Sequence, residues 1–192
     1  MKVLIVGAGA VGFNIAKQLS KEGHDISLVD KNSELVQRIT EKLDVFVVEG
    51  NASSPSVLES AGIIDAHMVL AVTSSDEVNI VVCLLANRYN CKIKIARIRN
   101  SEFTRKDALF KQDQFFIDHM INPEQIIVDS IIKIIETPGA TFAVDFPVGD
   151  ILLRGFHVPD DAPIAGKKFS ELEGIEYTDS FLIVCIQRKD EM

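Results

Sequence analysis

Gly7, Gly9 and Gly12 stand in the stretch GAGAVG with the spacing G-x-G-x-x-G, and an acid, Asp30, follows 18 residues after the last of them. Residues of these types in this order can hold a phosphorylated nucleotide. The first glycine permits a sharp turn, the second lets the backbone approach a pyrophosphate, and the third lets the next helix pack closely. The helix that follows would present unpaired N–H groups and partial positive charge to the phosphates. Asp30 would accept from ribose hydroxyls and repel a 2′-phosphate, which favours NAD or another adenine nucleotide over NADP.

Further candidates lie where strands would end. Asn51 and Ala52, in EGNAS, can flank a base, and Thr73 and Ser74 can line the crevice; the alternative for each is ordinary capping and turn chemistry. Arg97 sits inside the apolar run IKIARI and can pair with a phosphate, or else with an acid at the sheet rim.

Groups for catalysis are harder to find. His24, His67, His119 and His157 are scattered and none stands beside a nucleophile, and neither Tyr89 nor Tyr177 has a lysine four residues later. Cys83, Cys91 and Cys185 have neither disulfide nor metal-ligand spacing and read as core or helix-end thiols. No catalytic residue and no metal site is expected. The formal charge of −8 excludes a basic nucleic-acid face. Hydrophobic residues at 47% describe a packed soluble protein, and no run approaches the roughly 20 residues that cross a bilayer. The first residues lead into a glycine turn instead of a cleavage site, so a cytoplasmic location is expected.

The glycine loop needs a strand before it and a helix after it. Residues 2–6 (KVLIV) are apolar without alternation, as in a strand buried on both faces of a parallel sheet. Similar runs at 25–30, 44–48, 68–73, 93–98 and 115–118 predict five more strands. Ser54-Pro55 marks one helix start, and a capping box from Ser74 to Glu77 marks another. The expected fold is α/β: a doubly wound, Rossmann-like parallel sheet in the order 3-2-1-4-5-6. A very apolar helix over 123–136 is either deeply buried or part of a subunit interface. After the breaker TPGA, alternating stretches such as TFAVDF, LLRGFHV and FLIVCIQR, with a brief helix over Ser170–Gly174, suggest a small α+β module too short for a complete core. The organisation is therefore a nucleotide-binding domain over 1–122, a helix and linker over 123–140, and a partial module over 141–192.

The segments MKVLIVGAGAVGFNIAKQLSKEGHDISLVDKN, VVEGNASSPSVLESAGI, VLAVTSSDEVNIVVCLLA and IARIRN resemble, in order, the nucleotide-binding domain of the Trk-type potassium-uptake regulatory proteins, the RCK or KTN family. The resemblance extends across the chain, with residues after about 141 similar to the start of that family's C-terminal module. It implies a peripheral cytoplasmic subunit, at the inner face of the membrane, that binds NAD(H) or ATP/ADP without catalysis. It further implies assembly through a crossing helix into dimers or rings and control of a membrane potassium transporter of Trk or Ktr type. By the family's pattern the ligand contacts are Gly7, Ala8, Gly9, Ala10, Val11, Asp30, Thr73, Ser74 and Arg97, with Asn51 and Ala52 near the base. Many relatives carry Asp where this chain has Asn51. A small NAD-dependent reductase, or the sensing domain of a potassium channel or antiporter, are the alternative readings of the same fold.

Overall fold

The computed structural model describes residues 1–105, 107–146, 151–168, 171 and 182–188. Two compact units divide the chain, Met1–Ile127 and Val128–Met192.

In the first unit strands and helices alternate: β1 (Lys2–Val6), α1 (Ala10–Lys21), β2 (Asp25–Asp30), α2 (Ser33–Lys42), β3 (Phe46–Glu49), α3 (Pro55–Ser60), β4 (Met68–Ala71), α4 (Asp76–Arg88), β5 (Ile93–Arg97), α5 (Ser101–Thr104) and β6 (His119–Ile121), before α6 (Pro123–Glu136) runs on into the second. The sheet is parallel throughout, in the order β3-β2-β1-β4-β5-β6. That is the doubly wound order expected from the spacing of apolar runs. Its centre is buried on both faces, which is why β1 lacks alternation. Leu4 and Val6 pack with Leu58, Val82 and Ala86 on one side, while Val3 and Ile5 pack with Ala16, Leu28 and Ile39 on the other.

Several boundaries differ from the pattern. The third strand begins at Phe46, and the fourth and fifth stop at Ala71 and Arg97. The sixth is His119–Ile121, not 115–118. Gln112–Phe115 is instead a 3-10 turn that ends on Phe116 in a left-handed conformation at φ 54°, which a strand cannot contain. Phe115 is buried there with its ring edge-on to Phe103 at 5.9 Å, so its hydrophobicity reflects a capped turn and not a strand. The capping box also shifts by one residue. Ser75, not Ser74, caps α4: its Oγ accepts from the Val78 N–H at 3.3 Å and donates to Glu77 Oε2 at 2.7 Å. That hydroxyl lowers the Glu77 pKa below its ordinary value.

At the far side of the sheet, Lys94 on β5 is 5% exposed and its Nζ lies 2.9 Å from Asp118 Oδ2. The same carboxylate oxygen accepts from the Lys94 N–H at 2.7 Å. Burial pushes the Asp118 pKa upward, but the Lys94 hydrogen bonds and charge outweigh it, leaving it below its usual value. Cys83 and Cys91 are buried, as expected of core thiols, whereas Cys185 is exposed. Burial pushes the Cys83 thiol up to about 12, so it stays protonated and is no nucleophile.

In the second unit β7 (Ala140–Asp145) and β8 (Leu152–Phe156) form an antiparallel pair. Asp145 joins Arg154 Nη1 at 2.7 Å and Lys133 Nζ at 3.1 Å. Those partners hold its pKa below the ordinary value. Residues 182–187, expected as a strand, carry no ladder, and only Arg188 makes a bridge. Alternation prepares a strand's faces, but a ladder also needs a neighbour's N–H and C=O groups. The helix expected over Ser170–Gly174 lies outside the described residues apart from Glu171.

Candidate functional site

The C-terminal ends of β1, β2, β4 and β5 meet at one edge, where ligands gather in open α/β sheets. Here β1 turns into α1 through the glycine loop. The three glycines serve different needs. Gly7 adopts φ 109°, and a Cβ on it would lie 2.9 Å from the Thr73 backbone nitrogen. A Cβ on Gly12 would run into the Gly7 carbonyl oxygen. Gly9 is different: a Cβ there meets nothing within 4 Å, and its φ of −64° suits any residue. The fold itself therefore has no need for glycine at this position.

Gly9 is also the N-cap of α1 and supplies no side-chain cap. The first intrahelical bond runs from the Phe13 N–H to the Gly9 carbonyl at 2.9 Å, so the N–H groups of Ala10, Val11 and Gly12 precede it. Gly9, Ala10 and Val11 are exposed, and Ala8 is buried. These donors and the helix dipole make an anion cradle.

Asp30 closes the cradle from β2. Its Oδ2 accepts from the Ala8 N–H at 2.6 Å and its Oδ1 from the Asn32 N–H at 2.9 Å. Asn32 in turn caps α2, its Oδ1 accepting from the Glu34 and Leu35 N–H groups at 3.0 and 3.2 Å. Each carboxylate oxygen thus takes one backbone donor and keeps a lone pair for a hydroxyl.

The remaining candidates are more committed to their own surroundings. Asn51 is exposed, its Oδ1 accepting from the Ser53 N–H at 3.0 Å in a turn, and Ala52 packs into the core beside Leu58. The Thr73 Oγ1 donates to Asn79 Oδ1 at 2.7 Å and accepts from the Ser75 N–H at 3.2 Å. Ser74 is exposed, and its carbonyl accepts from Arg99 Nη2 at 2.6 Å. Arg97 Nη2 lies 3.7 Å from Glu124 Oε1, the rim ion pair that the sequence offered as one alternative. Arg97 Nε is buried without a partner among the described residues.

Sequence reasoning missed the residues that brace this edge. Asp76 Oδ2 accepts from the Arg99 and Asn100 N–H groups at 2.9 and 2.7 Å, and Asn79 is fully buried between β4 and β5. The available signal was a polar pair three apart, Asp76 and Asn79, at the start of the largely apolar DEVNIVVCLLA, which puts both on one helix face.

The sheet order, the tight strand-to-helix turn and the acid at the end of β2 define a Rossmann-type nucleotide-binding domain. The chain belongs to the TrkA-N domain family, which matches residues 3–123. It is similar to the Trk system potassium uptake protein TrkA of Haemophilus influenzae, 47% identical over 148 residues that cover 76% of this chain and 32% of that one. The Pyrococcus abyssi protein named Trk system potassium uptake protein TrkA homolog is 33% identical over 193 residues, covering all of this chain and 84% of its own length. The chain spans about a third of the length of the Haemophilus relative. Among solved structures, the GsuK channel bound to NAD shares the fold at a TM-score of 0.57 and 21% identity, over 73% of this chain and 24% of that one.

Proposed function

We propose that this chain is the ligand-sensing part of a regulatory subunit of a potassium-uptake system, and that its ligand is NAD(H) or ATP/ADP. Gly9 carries this reading. Its position is open, uncapped and free of internal constraint, so the absence of a side chain serves something that approaches from outside. Pyrophosphate against the N–H groups of Ala10 and Val11, with ribose hydroxyls on Asp30, satisfies that geometry. In this reading Thr73 and Ser74 stand on the phosphate side, where Arg97 would have to exchange Glu124 for a phosphate, and exposed Asn51 stands on the base side with Ala52 contributing backbone only. The GsuK channel with this fold is described as bound to NAD, which supports the same ligand class here.

The nucleotide acts as a signal and not as a coenzyme. A ligand that prefers one arrangement of the assembly shifts the population by its differential affinity, and a few kcal/mol is enough. Domains over 1–122 and 141–192, joined through the helix and linker at 123–140, divide the work between binding and assembly. The helix α6 has no buried residue, and Ile127, Ile131 and Ile135 are 59%, 51% and 71% exposed. An apolar face of this kind suits contact with a second copy in a dimer or ring. No helix among the described residues is long and apolar enough to cross a membrane. In this reading the partner is a membrane potassium transporter of Trk or Ktr type, with this subunit at the cytoplasmic face.

Thermal unfolding with NAD, NADH, ATP, ADP and NADP tests the reading. At least one of the first four is expected to raise the melting temperature, and NADP is expected to act more weakly. Asp30→Ala removes a charged acceptor for ribose hydroxyls, so affinity should fall about 10- to 100-fold. The change in ligand-induced shift is the readout, because the substitution also takes the acceptor from the Ala8 N–H. Identical melting for every nucleotide would sink the proposal.

A further inference from the structure

We infer that Asn79 is the positioning residue of the ligand edge, an inference that rests on the nucleotide-binding reading above. The ladder between β4 and β5 ends at the pair Ala71↔Ala96. Beyond it side chains take over as the links: Asp76 receives the Arg99 and Asn100 N–H groups, Arg99 reaches the Ser74 carbonyl, and the buried Asn79 carboxamide joins Thr73 to Arg97. Asn79 Oδ1 accepts from the Thr73 N–H at 3.0 Å and from Thr73 Oγ1 at 2.7 Å. Its Nδ2 donates to the Thr73 carbonyl at 3.2 Å and to the Arg97 carbonyl at 2.7 Å. Both halves of the amide are therefore in use, and its orientation is dictated by the Thr73 N–H, which can only donate, and by the Thr73 and Arg97 carbonyls, which can only accept.

This link reaches the cradle through Thr73. The Thr73 nitrogen is the atom against which Gly7 packs, at 2.9 Å from the position of a Gly7 Cβ. This side chain thus ties the β4 end, beside the glycine loop, to the β5 end that carries Arg97. Only a carboxamide supplies this pattern. A carboxylate of the same shape can still accept from Thr73, but it turns two donated bonds into contacts between oxygen atoms. A hydrocarbon takes the Asn79 partner from the Thr73 N–H and from the Thr73 and Arg97 carbonyls, while Thr73 Oγ1 keeps its contacts with Ser75.

Asn79→Asp is the discriminating variant. With wild type bound to ADP or NAD by calorimetry near neutral pH, Asn79→Asp is expected to bind about 10-fold more weakly or worse. Full burial and two facing carbonyl oxygens raise the pKa of a carboxyl placed here, so on acidification toward pH 5 it gains an O–H that can donate to the Arg97 carbonyl, and the variant should recover part of the loss relative to wild type at the same pH. Asp76 and Glu77 on α4, Arg97 and Arg99 at the β5 end, and Glu124 on α6 are the charged groups around this edge. Measuring wild type at both pH values removes their contribution. The wild-type Asn79 side-chain amide protons offer a second readout in NMR, independent of any variant: slow solvent exchange and a resonance shift on nucleotide saturation. If wild type binds no adenine nucleotide, the proposed function fails. If wild type binds and Asn79→Asp binds equally well near neutral pH, or the Asn79 amide resonances do not move on saturation, the positioning role is overturned while the ligand reading stands.

Discussion

Gly12→Ala is expected to destabilise the first unit by roughly 3 kcal/mol or more, and Gly7→Ala by a similar amount, while Gly9→Ala remains within about 1 kcal/mol of wild type. At Gly12 the new methyl would occupy the space of the Gly7 carbonyl oxygen, so strand and helix must part. At Gly7 the left-handed φ and the Thr73 backbone both oppose a side chain, and backbone cannot step aside as a flexible chain end would. Gly9 meets neither obstacle. Its alanine variant should melt like wild type without ligand and lose nucleotide-induced stabilisation, because the methyl would stand where the proposed ligand's phosphate approaches. Urea or thermal unfolding of the three variants, with and without nucleotide, separates glycine kept for the fold from glycine kept for the ligand. A Gly9→Ala protein that retained the full ligand shift would remove the main support for the cradle.

The second large effect concerns Lys94 and Asp118, and it is asymmetric. Asp118→Asn takes the counter-charge from the buried Lys94 ammonium, whose other hydrogen bond among the described residues goes to the Cys91 carbonyl at 3.2 Å. The expected cost is about 2–3 kcal/mol, below the usual figure for breaking a buried pair because the Asp118 side chain is 43% exposed and water screens part of the attraction. Lys94→Met should cost less, since the remaining carboxylate can turn to solvent and a thioether suits the vacated space. The pair also has a pH signature. The folded-state pKa of Asp118 lies below its unfolded value, so its contribution is complete above the ordinary carboxylate range and is lost as pH falls through the folded value. Wild type should lose more stability than Asp118→Asn on acidification below about pH 4. Parallel pH–stability curves for the two proteins would contradict this account.

Much of this molecule could be read from local pattern. Residues 2–6, 25–30 and 123–136 form their elements at the expected boundaries, because uninterrupted apolar runs and the Pro123 start are signals contained within one segment. The strand order followed too, since right-handed crossovers leave few ways to lay alternating strands and helices into one sheet. The glycine loop with Asp30 was legible for the same reason: each residue's task depends on its immediate neighbours in the β1–α1–β2 unit.

Only tertiary structure decided what depends on partners far along the chain. Phe115 and Phe116 have strand-like composition, but a 3-10 turn packed on Phe103 takes them out of the sheet. Ser74 and Ser75 are equally suited to cap α4, and the path out of β4 chose Ser75. Arg97 could have faced a phosphate or an acid, and here Glu124, 27 positions later in the sequence, stands beside it. Asn79 was the least legible of all. Its spacing from Asp76 marks a polar helix face and nothing more, because its role exists only once folding brings Thr73 and Arg97 to the two ends of the amide.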